Sequence, residues 1–277
     1  MQLANMKSVK LNTGASIPII GFGTWKIRLN GAAQKAVAEA LELGYRHIDT
    51  ARIYGNEKGV GRGIVQSEIK REDIFVTTKL WNGDQGYDSA LKAFDASLER
   101  LGLDYVDLYL IHWPVSGKRQ ESWRALEEIY KSGRAKAIGV SNYAIAHVEE
   151  LLDSSKVVPA VNQIEYHPFL YEDQASLLKF CKQHNIIIEA YSPLVHGKRL
   201  DDPVLAKIAK KYSKSNAQIL LRWAVQQGTV PLVKSTHSER MAENLDIFDF
   251  ELDSKAVTDI NNLSDGTRTC WDPTNIV

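Results

Sequence analysis

Residues 74–112 read IFVTTKLWNGDQGYDSALKAFDASLERLGLDYVDLYLIH, and the order of patterns inside them sets the fold class. Ile74–Lys79 and Val106–His112 are short, largely apolar runs of the kind that form strands buried on both faces. Between them Leu91, Phe94, Leu98 and Leu101 recur at helical spacing, with charged residues on the other positions. That spacing gives a helix with one apolar stripe. Strand, helix and strand in this order make a parallel pair with a helical crossover.

The same alternation continues outward in both directions. Ile19–Thr24, His47–Thr50, Ala135–Val140, Ala160–Glu165, Ile186–Ala190 and Val230–Val233 complete a set of eight strand-like runs, with helical stretches such as Trp123, Leu126 and Tyr130 between them. Eight such units in 277 residues favour an eight-stranded (β/α) TIM barrel of the α/β class over an open sheet. Ahead of the first run, Ser8–Leu11 and Ile17–Ile19 flank Asn12-Thr13-Gly14, which predicts an N-terminal β-hairpin outside the barrel, placed to plug its bottom. After the last run, Ser238–Asp246 and Ser254–Leu263 have helical pattern and predict extra C-terminal helices, followed by a polar tail from Asp265 to Val277. Nothing resembling a linker, a repeat or a low-complexity block divides the chain, so residues 1–277 are expected to form a single domain.

Thirty-four basic residues balance thirty-four acidic ones, so no overall field draws the chain to nucleic acid or to a membrane surface. Any bound anion needs a local site. The two cysteines, Cys181 and Cys270, stand far apart, and no second Cys or His pair at metal-ligand spacing completes a site, which predicts neither a disulfide framework nor a metal centre. The first residues contain no apolar leader, and no run reaches the roughly 18–20 apolar residues of a membrane span. A cytoplasmic, monomeric protein acting on a small molecule is the expectation.

In barrels of this kind catalytic groups sit where strands end and the following loops begin. Asp49 closes the second run, Tyr54 follows in the next loop, Lys79 ends the third run and His112 the fourth. Each alone has an ordinary use: a cap, loop packing, a solvated cation, a satisfied core histidine. Together, at the ends of three adjacent strands, they make a proton-donating set. A lysine ammonium beside a phenol stabilises phenolate and is expected to bring Tyr54 from its usual value of about 10 toward the working range. Asp49 would hold Lys79 charged and aimed, and His112 would hydrogen-bond a substrate oxygen. Side chains supply no hydride, so a cofactor must.

Gly59-Val60-Gly61-Arg62-Gly63 superficially matches a dinucleotide loop, but its spacing is not G-x-G-x-x-G and no strand leads into it, so it reads as helix and turn. The stronger anion site follows the eighth run: Lys234, Ser235 and Thr236, then Arg240, Glu243 and Asn244 at the start of a helix. The alternative is a basic, solvated turn with a serine cap.

The motifs GFGTW, GYRHIDTARIYGNE, FVTTKLW, LGLDYVDLYLIHWP, AIGVSNY, VNQIEYHP, EAYSPL and VKSTHSERMAEN occur in this order along essentially the whole chain. In them the sequence resembles the aldo-keto reductase family, and specifically its compact, microbial-type members. The resemblance implies that Asp49, Tyr54, Lys79 and His112 form a catalytic tetrad with Tyr54 as general acid for reduction of aldehydes and ketones. It implies NADPH as cofactor, with Ser141, Asn142 and Gln163 on the nicotinamide carboxamide and Tyr191 stacked on the ring. Ser192 and Leu194 would lie along the pyrophosphate, Lys234, Ser235 and Arg240 on the 2′-phosphate beside Thr236, and Glu243 and Asn244 on adenine. Gly23, Thr24 and Trp25 of GFGTW would also lie against the cofactor. Leu232-Val233 stands where relatives commonly have Ile-Pro, and the stretches Val115–Gln120 and Val195–Asp202 are short, which implies an open substrate mouth.

Trp25, Trp81 and Trp113 each follow a strand end near one of these motifs and would wall an apolar pocket, with His112 at its floor. Trp271 either closes that pocket or packs outside it. Two other classes compete: an NADPH-binding module without chemistry, whose mark would be a damaged tetrad, and a Schiff-base enzyme using Lys79, which the Asp49 partner disfavours by keeping the amine protonated.

Overall fold

The computed structural model describes residues 7–28, 30–274 and 276; the first six residues, on which the expectation of no apolar leader partly rests, lie outside them. A hairpin of β1 (Ser8–Lys10) and β2 (Ser16–Pro18) comes first, in antiparallel register with Val9 opposite Ile17. Eight strands follow: β3 (Gly21–Gly23), β4 (His47–Asp49), β5 (Phe75–Leu80), β6 (Leu108–Ile111), β7 (Ile138–Ser141), β8 (Val161–Glu165), β9 (Ile187–Tyr191) and β10 (Val230–Val233). They pair in parallel in sequence order, and β10 returns to β3 to close the ring. The chain is a (β/α)8 TIM barrel. Every strand-like run of the sequence corresponds to one of these eight strands, with bounds that shift by up to three residues: β5, β7 and β9 end one residue later than their runs, and β10 matches its run.

The helices are α1 (Asn30–Leu43), α2 (Glu57–Gln66), α3 (Tyr87–Leu101), α4 (Arg119–Lys131), α5 (Ile145–Leu152), α6 (Tyr171–Gln183), α7 (Pro203–Tyr212), α8 (Asn216–Gln226), α9 (Ser238–Leu245) and α10 (Ser254–Asn261). Local chemistry sets several of their ends. Gly102 takes a left-handed conformation after α3, and the Leu103 N–H reaches back to the Leu98 carbonyl at 3.1 Å, a closure that stops a helix. Asp202, Ser215 and Asp253 cap α7, α8 and α10 through their side chains.

Residues two apart on a strand share a face, and here one face packs on helices and the other fills the barrel. Ile48, Val76, Tyr109, Ile138 and Ile188 face outward into the large core shared with the helices. Phe75, Leu108, Leu110, Val161 and Val230 fill the barrel with Leu11 and Ile17 of the hairpin, so the hairpin does plug the bottom. Above that apolar layer the interior turns polar: His47 then Asp49 on β4, Thr77 then Lys79 on β5, Gln163 on β8 and Glu189 on β9, all buried.

The glycines of residues 59–63 lie inside α2, and their role is close packing. A Cβ at Gly61 would strike the carbonyl oxygen of Leu101, and one at Gly59 the carbonyl of Asn30. A methyl group there must push neighbouring backbone away, overpacking of a kind that costs about 1–3 kcal/mol.

Candidate active site

Asp49, Lys79 and His112 stand at the upper ends of β4, β5 and β6, and Tyr54 sits on a short turn of Arg52–Tyr54. That turn is stapled by a buried residue. Asn56 donates through Nδ2 to the carbonyls of Thr24 (3.0 Å) and Ile27 (2.9 Å) and accepts from Thr50 Oγ1 at 2.8 Å. Thr24 in turn donates its hydroxyl to the Asp49 carbonyl at 2.9 Å, so buried hydrogen bonds tie the GFGTW loop to the Tyr54 turn.

Lys79 is fully buried, and its ammonium spends its donors on Asp49 Oδ1 (2.8 Å), Asp49 Oδ2 (2.7 Å) and the Thr50 carbonyl (2.9 Å). Burial alone would lower its pKa, but the charge of Asp49 and the hydrogen bond to it outweigh that cost, and the amine stays cationic. The ammonium lies 5.2 Å from the centre of the Tyr54 ring. Here one expectation is corrected. Burial pushes the Tyr54 phenol up to about 12, and Lys79 pulls against that shift without reversing it. The phenol is therefore a neutral donor at ordinary pH.

His112 lies edge-on to Tyr54 and to Trp81, with ring centres 5.8 Å and 5.4 Å away. Burial, reinforced by the charge of Lys79, holds its pKa well below the usual histidine range, so the imidazole is neutral. Its Nδ1 is buried without a partner among the described residues.

Gln163 reaches across the barrel from β8, which stands opposite β4 in the ring. Its Nε2 donates to Asp49 Oδ2 and to Glu189 Oε2, both at 2.9 Å. Glu189 has no exposure, and burial followed by the negative charge of Asp49 pushes it up to about 8, against the Gln163 hydrogen bond and the charge of Lys79. His47 faces its other oxygen at 3.5 Å and also meets Thr77 Oγ1 at 3.0 Å; burial and then Lys79 push this histidine down to about 3, so it is neutral.

A stability slope follows from Glu189. An exposed glutamate has a pKa of about 4.3, so the folded chain keeps a proton that the unfolded chain releases. Between about pH 4.3 and 8 the folded state loses ground as pH rises, by up to about 1.4 kcal/mol per pH unit. Glu189→Gln removes this contribution, so its melting temperature is expected to gain on the parent from pH 5 to pH 8. A constant difference across that range would show that Glu189 is already ionised at pH 5.

Ser141, Asn142 and Tyr191 form the adjoining wall. Asn142 adopts a left-handed backbone (φ 62°), and its amide is fully engaged, with Nδ2 on the His112 carbonyl and Ser141 Oγ (both 3.0 Å) and Oδ1 accepting from the Tyr191 hydroxyl at 2.7 Å. The loop after β9 holds Ser192, Val195 and His196 at positive φ, costly for a β-branched residue and a frequent mark of functional loops. Leu194 lies half-buried within it.

Lys234, Thr236 and Arg240 are exposed and Ser235 is buried. No carboxylate among the described residues lies within 4.0 Å of Lys234 or Arg240. The serine is not the helix cap: α9 starts at Ser238 after His237, with no side-chain cap, and Ser235 Oγ accepts the His237 N–H at 3.1 Å in the preceding turn. Glu243 accepts a hydrogen bond from Ser215, and Asn244 is buried.

Trp25, Trp81 and Trp113 line the same face. Trp25 is 40% exposed and lies 5.4 Å from the His196 ring. Trp271 is 81% exposed, yet its ring edges against Trp113 at 6.1 Å, so the tail reaches the rim. A residue passed over in the sequence holds it there. Glu165, buried at the end of β8, accepts from Thr269 N (2.6 Å), Thr269 Oγ1 (2.5 Å), Cys270 N (3.1 Å) and His167 (3.1 Å). Burial would raise its pKa, but the hydrogen bonds from His167 and Thr269 hold it below the usual range. Glu165 and Glu189 share a detectable signal: each is a carboxylate in a strand-like run, two residues from Gln163 or Tyr191 and hence on the same inward face.

The aldo/keto reductase family model matches residues 19–265. The chain belongs to the aldo-keto reductase family. Glyoxal reductase of Bacillus subtilis is 48% identical over 270 residues, covering 98% of this chain and 97% of the relative. An aldo/keto reductase from Brucella melitensis has a solved structure that superimposes with a TM-score of 0.89 at 52% identity, over 94% of this chain and 100% of the other. A Bombyx mori aldo-keto reductase in complex with NADP superimposes with a TM-score of 0.90 at 38% identity, over 96% and 95%. As an aldo-keto reductase the chain is an oxidoreductase, and the family uses a nicotinamide cofactor. No helix among the described residues is long and apolar enough to cross a membrane, and they contain no metal-holding cluster of His, Cys, Asp or Glu.

Proposed function

We propose that this reductase uses NADPH to reduce small aldehydes and ketones to alcohols, with Tyr54 delivering the proton. The observation that carries the reading is the neutral phenol set beside a buried, fully hydrogen-bonded Lys79–Asp49 pair and a neutral His112. The residues present fit the cofactor. Among the described residues Gln163 Oε1 has no protein partner, the half-buried Tyr191 offers a flat face, and Lys234 and Arg240 meet no carboxylate near the uncapped start of α9. NADPH supplies the hydride that no side chain can. Tyr54 places its hydroxyl proton for the oxygen that gains charge, the Lys79 ammonium stabilises the phenolate left behind, and Asp49 keeps that ammonium charged and aimed. His112, neutral, orients the substrate oxygen as a hydrogen-bond donor. Glyoxal reductase among the relatives points to short dicarbonyls as the first substrates to assay.

Preference for NADPH over NADH tests the cofactor part. A charge-assisted contact to the 2′-phosphate contributes about 1.5–3 kcal/mol, roughly ten- to hundredfold in affinity. Lys234→Met and Arg240→Ala are each expected to narrow the gap between the two dissociation constants, measured by fluorescence titration. Equal constants in the unmodified protein would defeat this assignment, and tight NADPH binding with no turnover across a broad carbonyl panel would favour a binding module.

A further inference from the structure

Glu189 is absent from the tetrad and from the expected cofactor contacts, yet it sits at the centre of the polar layer. It belongs to β9, paired in register with Gln163 of β8. The Gln163 amide nitrogen carries two hydrogens; one goes to Asp49 Oδ2 and the other to Glu189 Oε2, each at 2.9 Å. Asp49 engages only one of them, and without Glu189 the second would lose its acceptor. With Glu189 in place both hydrogens are committed, and a flipped amide would set its carbonyl against Asp49, whose charge Lys79 secures.

We propose that Glu189 is a positioning residue of the cofactor site: it locks the Gln163 amide with Nε2 toward the barrel interior, so that Oε1 alone faces outward and accepts from the NH2 of the nicotinamide carboxamide. The inference rests on the NADPH reading above. The groups facing Glu189 explain why an acid serves here. Asp49 on β4 is ion-paired with Lys79 on β5, whose donors it already engages, and His47 is neutral. A protonated carboxyl accepts the Gln163 hydrogen through its carbonyl oxygen without placing a second negative charge beside Asp49. A hydrocarbon in its place would orphan a buried N–H.

The test is equilibrium binding to the unloaded protein, read by intrinsic tryptophan fluorescence. Three probes are titrated: NADPH, its 3-acetylpyridine analogue, in which methyl replaces the carboxamide NH2, and adenosine 2′,5′-bisphosphate, which lacks the nicotinamide half. Glu189→Met is expected to weaken NADPH by about tenfold, the worth of one hydrogen bond, while leaving the bisphosphate unchanged and the analogue nearly so. Glu189→Gln, which still presents a carbonyl oxygen to Gln163, is expected to stay within about twofold of the parent on all three. Glu189→Leu repeats the measurement should the methionine variant not fold. NADPH affinity unchanged in the apolar variants, or an equal loss on NADPH and the bisphosphate, overturns the proposal in favour of a purely structural role. Failure of the parent to bind NADPH overturns the cofactor reading and the proposal with it.

Discussion

Tyr54→Phe is expected to bind NADPH as the parent does and to reduce a reactive aldehyde about 10²- to 10⁴-fold more slowly. The substitution removes one oxygen and keeps the ring, so the edge contact with His112 and the approach of Lys79 to the ring face survive. What disappears is the proton. The phenol, pushed up to about 12 by burial against the pull of Lys79, is protonated across the ordinary pH range and is always ready to donate. Its proton leaves only as charge develops on the substrate oxygen, when the neighbouring ammonium stabilises the phenolate. Fluorescence titration with NADPH beside steady-state reduction of glyoxal separates the two quantities. An undiminished rate would remove Tyr54 from the chemistry.

Lys79→Met is expected to cost activity by a comparable factor and stability as well, a combination that Tyr54→Phe does not show. In the parent, Asp49 receives two hydrogen bonds from Lys79 and one from Gln163 while buried. Removing the cation leaves a buried carboxylate without its counter-charge, a change that typically costs about 3–5 kcal/mol unless the group takes up a proton. The double variant Lys79→Met/Asp49→Asn removes both charges and is expected to regain much of the lost melting temperature without regaining rate. That pattern separates the structural from the chemical work of the pair. Rates unchanged in Lys79→Met would place the lysine outside the mechanism.

The fold was legible because its signal is local. Eight apolar runs alternating with helical spacing, of which residues 74–112 are one complete unit, permit few arrangements other than a closed parallel ring. The glycines of residues 59–63 were likewise readable as helix, although their actual contacts, Asn30 and Leu101, lie on other helices and leave no trace in the spacing. The positions of Asp49, Tyr54, Lys79 and His112 followed from strand ends together with the family motifs. Their electrostatic balance did not. Whether Lys79 lowers the phenol or burial raises it depends on depth and on how many of the lysine donors Asp49 and Thr50 consume. Gln163 and Glu189, on neighbouring strands, meet Asp49 only because the closed ring brings the remote β4 to the same level inside the barrel. Glu165 was hidden in the same way, since its tail partners come from the far end of the chain.

The polar layer also divides the ring into two halves with different tasks. Strands β3–β6 and their loops carry the groups proposed for proton delivery, Asp49, Tyr54, Lys79 and His112. Strands β7–β10 carry those proposed to grip the cofactor, Ser141, Asn142, Gln163, Tyr191 and Lys234. Among the side-chain ties that cross between the halves, two join these groups: Asn142 to the His112 carbonyl at the β6–β7 seam, and Gln163 to Asp49 through the middle. A half-barrel exchanged with a relative would bring an intact set of groups for one task, and its success would turn on whether these two amides still find their partners.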